Sequence, residues 1–298
     1  MNVFRITPRM ICCAMSAHLG LWLLVSIPAK LGMLPSRNLP GWTIRMIACC
    51  VALFIASWVS FYVAGEYRNA RWLRLAWLAI AANGGLSIFR MIAENPVWTA
   101  IWPGYSVHVR GLVQHLFIVP ANLSLLIAVA AMCIAYHHVR IGFEIKKRDM
   151  LLIVGIASVI SGLMIFRGGL SEANSPFLAG RILQHLGLIC LAIVSAVSVL
   201  LHRMSVQMDG GRLAAVLQVI TLYTLSRCVL VLFTAVRPAG AVMDILLTIS
   251  WQAVQWLPAL AAALRLTMTV EAVRELERLE LGMSLSGVGQ RHLAASAK

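Results

Sequence analysis

Three arginines lie within or at the ends of long apolar stretches of this chain: Arg90, Arg167 and Arg227. A guanidinium group inside a bilayer is costly, and such groups usually face a protein interior or a cavity. Arg227 lies deepest in its stretch, because fifteen residues separate it from Arg212 and ten from Arg237. If the three side chains converge, they predict a site for a carboxylate or phosphate, which guanidinium groups bind through paired hydrogen bonds.

The same arginines also have a purely structural interpretation. Each could pair with a carboxylate or with carbonyl groups of a neighbouring helix, or extend its charged end to the membrane surface. Arg90 and Arg167 lie at helix ends, where reaching the surface costs little, so Arg227 is the strongest candidate for contact with a ligand. Three acidic residues expected at the same end of the helices are the candidate partners: Glu94, Glu172 and Asp244.

Glutamine recurs at corresponding places in three apolar segments. Gln-His pairs open two of the segments, and a lone glutamine takes the same place in a third. We expect these glutamines to line one level of the protein as neutral hydrogen-bonding groups beside the arginines. The predicted ligand site therefore comprises Arg90, Glu94, Gln114, Arg167, Glu172, Gln184, Arg227 and Gln252.

The histidines suggest a second chemistry. His115 and His185 open two predicted helices, and His137 and His202 lie at their far ends, an arrangement similar to bis-histidine haem sites. The spacing argues against two haems, since His115 and His137 would be about 33 Å apart and His185 and His202 about 25 Å. A single haem b held by His115 and His185 is an alternative. The competing interpretation is interfacial histidines that bond water, headgroups or loop backbone.

Other motifs that would indicate catalysis or tight metal binding are absent from the sequence. The seven cysteines lie in apolar runs without a CxxC pair, which predicts packing and not a disulfide framework. Glycine-rich phosphate loops and the HExxH pattern do not occur, and nothing frames a serine nucleophile. The sequence therefore favours a non-enzymatic protein without a cofactor.

Membrane-spanning helices must position these residues. Hydrophobic residues make up 60% of the 298 residues and charged residues only 12%, whereas a soluble domain carries about 25% charged residues. The apolar residues form blocks long enough to cross hydrocarbon, and the absence of alternating polarity favours helices over strands. We predict an all-α transmembrane bundle of about eight spans, at 10–29, 43–64, 72–93, 109–137, 150–168, 180–202, 213–236 and 242–266.

The net charge of +14 predicts the orientation of the bundle. Most basic residues lie at segment ends, where they meet anionic lipid headgroups, so nucleic acid is not an expected partner. Their bias places both termini in the cytoplasm, with the protein in the inner (plasma) membrane. The membrane domain is predicted over 1–268, and 269–298 is predicted to be an amphipathic helix and disordered tail that could bind a protein partner.

Successive predicted helices form pairs, or hairpins, and three of these hairpins share sequence features. Phe-Arg ends the first helix of two hairpins, at Arg90 and Arg167, and Gln-His opens the second helix of each. A third hairpin keeps an arginine, Arg227, and the glutamine Gln252. The sequence therefore predicts tandem helical hairpins, an organisation known among transporters.

These patterns favour a membrane protein that binds or translocates a small amphipathic or anionic ligand, lipid-like in character. A membrane sensor or scaffold that signals through the cytoplasmic helix at Glu271–Glu280 is the main alternative. The third possibility is the b-type haem electron-transfer protein described above.

Overall fold

The computed structural model describes residues 6–30, 39–95, 97–102, 104–138, 147–170, 178–208, 211–236 and 240–272. These residues are 92% helical and contain no strand, as the sequence predicted. The helices are α1 (Pro8–Lys30), α2 (Leu39–Glu66), α3 (Arg71–Ala93), α4 (Val97–Ile101), α5 (Val107–His138), α6 (Lys147–Leu170), α7 (Leu178–Gln207), α8 (Arg212–Val236), α9 (Ala241–Val254) and α10 (257–272).

Among these described helices, seven spans are long and apolar enough to cross a membrane: α1, α2, α3, α5, α7, α8, and α9 together with α10. The chain is therefore a multi-pass membrane protein, and the predicted all-α bundle is confirmed. The remaining predicted segment, 150–168, lies within α6, whose 24 residues are enough to cross hydrocarbon by length. The sequence did not predict α4, a short helix in the connection between α3 and α5.

The spans pack in chain order. The most extensive contacts join α3 to α5, α2 to α3 and α5 to α7, followed by α6 with α7 and α7 with α8. Looser contacts of α8 with α9, α9 with α1 and α1 with α2 close the ring, while α6 lies beside α7. Packing of successive helices is what tandem hairpins would produce, although the sequence repeat itself stays a prediction.

Two glycines permit the closest helix approaches. A Cβ on Gly84 of α3 would overlap the side chain of Ser57 on α2. A Cβ on Gly187 of α7 would lie 3.1 Å from the side chain of Ile118 on α5. Because lipid provides no hydrophobic drive between helices, small residues that allow such contact are a main source of packing energy. These approaches fix α3 and α5 at the depth of the polar network described below.

The last span is interrupted near its middle. A turn over Gln255 and Trp256 separates α9 from α10. Pro258 accounts for the break, because it has no N–H to offer the carbonyl of Val254 and its ring crowds the preceding turn. Trp256 is buried and its Nε1 donates a hydrogen bond to Nδ1 of His18 on α1, at 2.8 Å. This contact joins α1 to the interrupted span.

The connection after α3 folds back onto that helix. Nε1 of Trp98 donates to the carbonyl of Ile92 at 2.7 Å, and the hydroxyl of Tyr105 donates to the carbonyl of Ala93 at 2.9 Å. Burial raises the pKa of Tyr105, which keeps its hydroxyl protonated as a donor. The carbonyl groups that a helix end leaves without partners are thereby satisfied.

The bundle has two polar ends. We call the end that carries Arg90 and Glu94 the Arg90 end, and the opposite end, with Arg265, the Arg265 end. At the Arg265 end, Arg265 bonds the hydroxyls of Tyr67 and Thr269, and Thr269 donates to Glu66 at 2.9 Å. Ion pairs also join Arg203 to Asp149 and Arg212 to Glu271. The three carboxylates named here, Glu66, Asp149 and Glu271, therefore each have a polar or charged partner.

Candidate functional site

Arg227 lies inside the ring, with 8% of its surface exposed. Its Nη1 donates to Oδ1 of Asn83 on α3 at 3.1 Å and to the hydroxyl of Tyr223, one turn earlier on α8, at 2.9 Å. Its Nη2 donates to Oδ1 of Asn122 on α5 at 3.3 Å. The guanidinium therefore reaches from α8 to two helices that are not its main packing neighbours.

The partners of Arg227 are themselves held in place. The Tyr223 hydroxyl donates to Oδ1 of Asn83 at 2.7 Å. Nδ2 of Asn83 donates to the carbonyl of Ala121 at 2.6 Å, and Nδ2 of Asn122 donates to the carbonyl of Gly187 on α7 at 2.9 Å. In each of these two amides, the nitrogen donates to a backbone carbonyl and the oxygen accepts from Arg227. The network joins α3, α5, α7 and α8 at one depth.

The charge of Arg227 is not neutralised by the protein in the described part of the chain. Its three acceptors are two amide oxygens and a hydroxyl, and the Tyr223 ring lies 5.5 Å from the guanidinium carbon. The acidic residues of the described helices all lie at or near helix ends: Glu66, Glu94, Asp149, Asp244 and Glu271. Neutral dipoles and a ring face solvate a buried cation only in part.

Donor capacity remains on this guanidinium. Arginine has five N–H groups, and the contacts to Asn83, Tyr223 and Asn122 use three of them. Nη1 is fully used, so the remaining donors are Nε and one hydrogen of Nη2. Such unused N–H groups are the donors with which a guanidinium binds the oxygens of a carboxylate or phosphate.

Arg90 has different surroundings. Its Nε lies 3.5 Å from Oε1 of Glu94, one turn later on α3. The same carboxylate oxygen accepts from Nε2 of Gln114 on α5 at 2.5 Å. Two predicted site residues, Arg90 and Gln114, are thus joined through a third, Glu94. At this end a carboxylate neutralises the arginine.

Gln252 lies near the same level. Its Oε1 accepts a hydrogen bond from Sγ of Cys49 on α2 at 2.8 Å. The charge of Arg90 acts on the Cys49 thiol, which places the two side chains in the same region. Gln114 and Gln252 thus bond different partners, and a shared site with Arg90 stays a prediction.

His115 and His185 lie at this level on α5 and α7. Gly187 of α7 contacts Ile118 of α5, so the two Gln-His pairs come to nearly the same height. Nδ1 of each histidine is buried and lacks a hydrogen-bond partner in the described structure. Gln184, beside His185, is half-buried. No group of three His, Cys, Asp or Glu side chains able to hold a metal ion occurs in the described residues.

The predicted arginines occupy two depths. Arg90 follows Asn83 by seven residues on α3, which separates their levels by about 10 Å, and Asn83 marks the level of Arg227. Arg167 lies in the last turn of α6, and its side chain is outside the described residues, as are Glu172 and most of the predicted cytoplasmic helix, from 273 onward. Asp244, a further candidate partner, lies in the first turn of α9.

Sequence reasoning missed the partners of Arg227. Asn83, Asn122 and Tyr223 are buried polar residues in apolar helices, and polar residues at such positions often bond across helices. That signal was visible, but the pairing was not, since Asn83 and Asn122 are distant from Arg227 in sequence. Comparison with family models, with curated proteins and with solved structures gives no match for this chain.

Proposed function

We propose that this membrane protein binds a small amphipathic oxyanion at Arg227. One observation carries the proposal: a deeply buried guanidinium has only neutral partners and keeps two N–H donors, one on Nε and one on Nη2, without a partner among the described residues. A structural arginine is usually paired with a carboxylate, because an uncompensated buried charge costs several kcal/mol, roughly. A ligand carboxylate or phosphate would supply the missing charge.

The surroundings favour a ligand with an apolar part. Arg227 lies in a helix that crosses the membrane, and large apolar side chains such as Leu217 and Ile220 fill the same core. A bare inorganic anion would lose its hydration here with little compensation. An oxyanion attached to an acyl chain places its charge on Arg227 and its chain among apolar side chains or lipid, which is the chemistry of a lipid-like molecule.

We further propose that the Arg90 end faces outward, with both termini on the cytoplasmic side of an inner (plasma) membrane. This orientation rests on the bias of basic residues along the sequence. A ligand arriving from outside would then meet Arg90 first and Arg227 about two helical turns deeper. The arrangement suits either binding or transport of the anion.

The test is binding of dodecyl phosphate to the full-length protein in a nonionic detergent, followed by calorimetry. We expect saturable binding that falls at least tenfold in Arg227→Gln, a change of about 1.4 kcal/mol or more. Arg74→Gln is the matched control, because Arg74 is exposed near the Arg265 end. Dodecanol tests the need for the anion. Equal affinity of wild type and Arg227→Gln would contradict the proposal.

A further inference from the structure

We propose that Glu94 is an internal counter-anion at an outer anion-binding station, and that the ligand passes this station by displacing the Glu94 carboxylate. The station comprises Arg90 and Glu94 of α3, Gln114 and His115 of α5, and His185 of α7. The inference rests on the proposed anion binding at Arg227 and adds a route and a gate to it.

The contacts of Glu94 are uneven. Its Oε1 bonds Gln114 closely, at 2.5 Å, but lies 3.5 Å from Nε of Arg90, beyond the usual range of a hydrogen bond. Nε of Arg90 is buried and has no hydrogen-bond partner in the described structure. The carboxylate therefore neutralises Arg90 without filling its donor positions, which is the relation expected of a replaceable counter-anion.

Three nitrogens at this level lack partners. Nε of Arg90, Nδ1 of His115 and Nδ1 of His185 are all buried, and they come from three helices that pack successively, α3, α5 and α7. A buried polar atom without a partner costs about 1–3 kcal/mol. The charge of Glu94 acts on His115, so the two side chains lie within electrostatic range of each other. Nε of Arg90 always carries a proton, and Nδ1 of a histidine donates a hydrogen bond when it is the protonated ring nitrogen, so these groups can bond an oxyanion.

The station leads to Arg227. Asn83, Ser87, Arg90 and Glu94 follow one another on α3 at spacings of three or four residues, so they share one face. His115 and Asn122 are seven residues apart on one face of α5, as Asn83 and Arg90 are on α3. Because α3 and α5 run in opposite directions, His115 and Arg90 both lie nearer the Arg90 end. A continuous polar stripe therefore connects the outer station with the Arg227 network over about 10 Å.

This arrangement predicts a competition between carboxylate and ligand. With Glu94 in place, the outer station is electrically neutral and admits an anion only by exchange. Without the Glu94 charge, Arg90 would attract anions to the mouth of the site and speed their association. The carboxylate thus sets the rate at which the anion reaches Arg227, and Arg227 sets how firmly it is held.

The experiment is stopped-flow binding of dodecyl phosphate to the full-length protein, followed by tryptophan fluorescence. We expect Glu94→Gln, which keeps the shape and a hydrogen bond to Gln114, to raise the association rate about tenfold. Arg90→Gln should lower the rate. Glu66→Gln removes a carboxylate from the Arg265 end and is the control expected to leave the rate unchanged.

The outcomes separate the two proposals. An unchanged or lower association rate in Glu94→Gln, with wild-type equilibrium binding intact and still dependent on Arg227, would overturn the gate alone. Loss of Arg227 dependence would overturn the anion site and the gate together. Thermal unfolding checks that each variant folds. Inorganic phosphate in place of dodecyl phosphate distinguishes a free anion from an anion carried on a lipid chain.

Discussion

Arg227 and Arg90 lie in neighbouring regions of one bundle, yet the partners of their charged groups differ. Arg90, nearer the membrane surface, has a carboxylate one turn away on its own helix. Arg227, about two turns deeper, has amide and hydroxyl oxygens from three residues and no carboxylate among the described residues. The cost of an uncompensated cation is greater at the deeper position, so the arrangement is the reverse of what stability alone would favour.

This difference is the reason for proposing anion binding at Arg227 and not at Arg90. Arg90 and Glu94 form a half-buried pair near a helix end, with atoms 3.5 Å apart, and such a loose pair contributes little to stability. Arg227 is held by hydrogen bonds to Asn83, Asn122 and Tyr223 that leave two of its N–H donors without a partner among the described residues. Preorganised donors in a low-dielectric setting bind an anion more strongly than the same donors in water. Variants that change the charge or the hydrogen-bond partners of either arginine test this comparison.

The largest effect is expected from Asn83→Leu. This change removes the acceptor of both Arg227 and Tyr223 and the donor to the Ala121 carbonyl. A buried charge that loses a main partner typically destabilises a protein by about 3–5 kcal/mol. Reversible unfolding in mixed detergent micelles would measure the loss. A stability near that of wild type would mean that Arg227 does not depend on the amide framework.

Asn122→Asp would give Arg227 the internal counter-anion that Arg90 already has. We expect a net gain of about 1–2 kcal/mol of stability, because the attraction of a full carboxylate charge to Arg227 outweighs the lost hydrogen bond from Nδ2 of Asn122 to the Gly187 carbonyl. We also expect dodecyl phosphate binding to fall at least tenfold, because the new carboxylate occupies the guanidinium. Unfolding and calorimetry on the same sample test both halves. Unimpaired binding would show that the ligand does not compete for Arg227.

Arg227→Gln should have a smaller effect on stability, and of favourable sign. Removing a buried charge that lacks a counter-ion can stabilise a fold by about 1–2 kcal/mol, while glutamine still bonds amide oxygens. The measurement is thermal unfolding without added anion. A clear destabilisation would assign Arg227 a structural role as the clamp of α3, α5 and α8, contrary to the proposed function.

Arg90→Gln should change stability least, by less than about 1 kcal/mol. Arg90 pairs with Glu94 at 3.5 Å near a helix end, where water and headgroups can replace the lost interaction. Thermal unfolding beside Arg227→Gln gives the direct comparison. A loss of several kcal/mol in the free energy of unfolding would show that the Arg90–Glu94 pair stabilises the protein as much as the Arg227 network does.

Much of the architecture was predictable from local sequence. Each predicted segment overlaps an observed helix and has ends within a few residues of it, from 10–29 in α1 to 242–266 in α9 and α10. The agreement arises because a segment that crosses lipid needs both a long apolar sequence and a helical backbone. The depth of Arg227 followed from its distance to the nearest polar flanks. Pro258 also gave a visible signal for the interruption of the last span, since proline removes a helix donor.

The partners of each arginine were not predictable in the same way. Glu94 was one of three candidate partners of the arginines, because it was expected at the same end of the helices. Asn83 and Asn122 were not connected with Arg227, because only packing brings three separate helices to one depth. The two levels of the polar residues likewise depend on the relative heights of the helices, which Gly84 and Gly187 help to set through close contacts.

The sequence by itself determined that this chain crosses a membrane repeatedly as helices, and that Arg227 must lie inside the apolar layer. Those conclusions follow from composition, length and the cost of exposing backbone to lipid, which act on each segment separately. The tertiary structure alone decided that Arg227 meets neutral oxygens while Arg90 meets a carboxylate. That distinction arises from the register of helices against one another, a property of the packed bundle that no single segment contains.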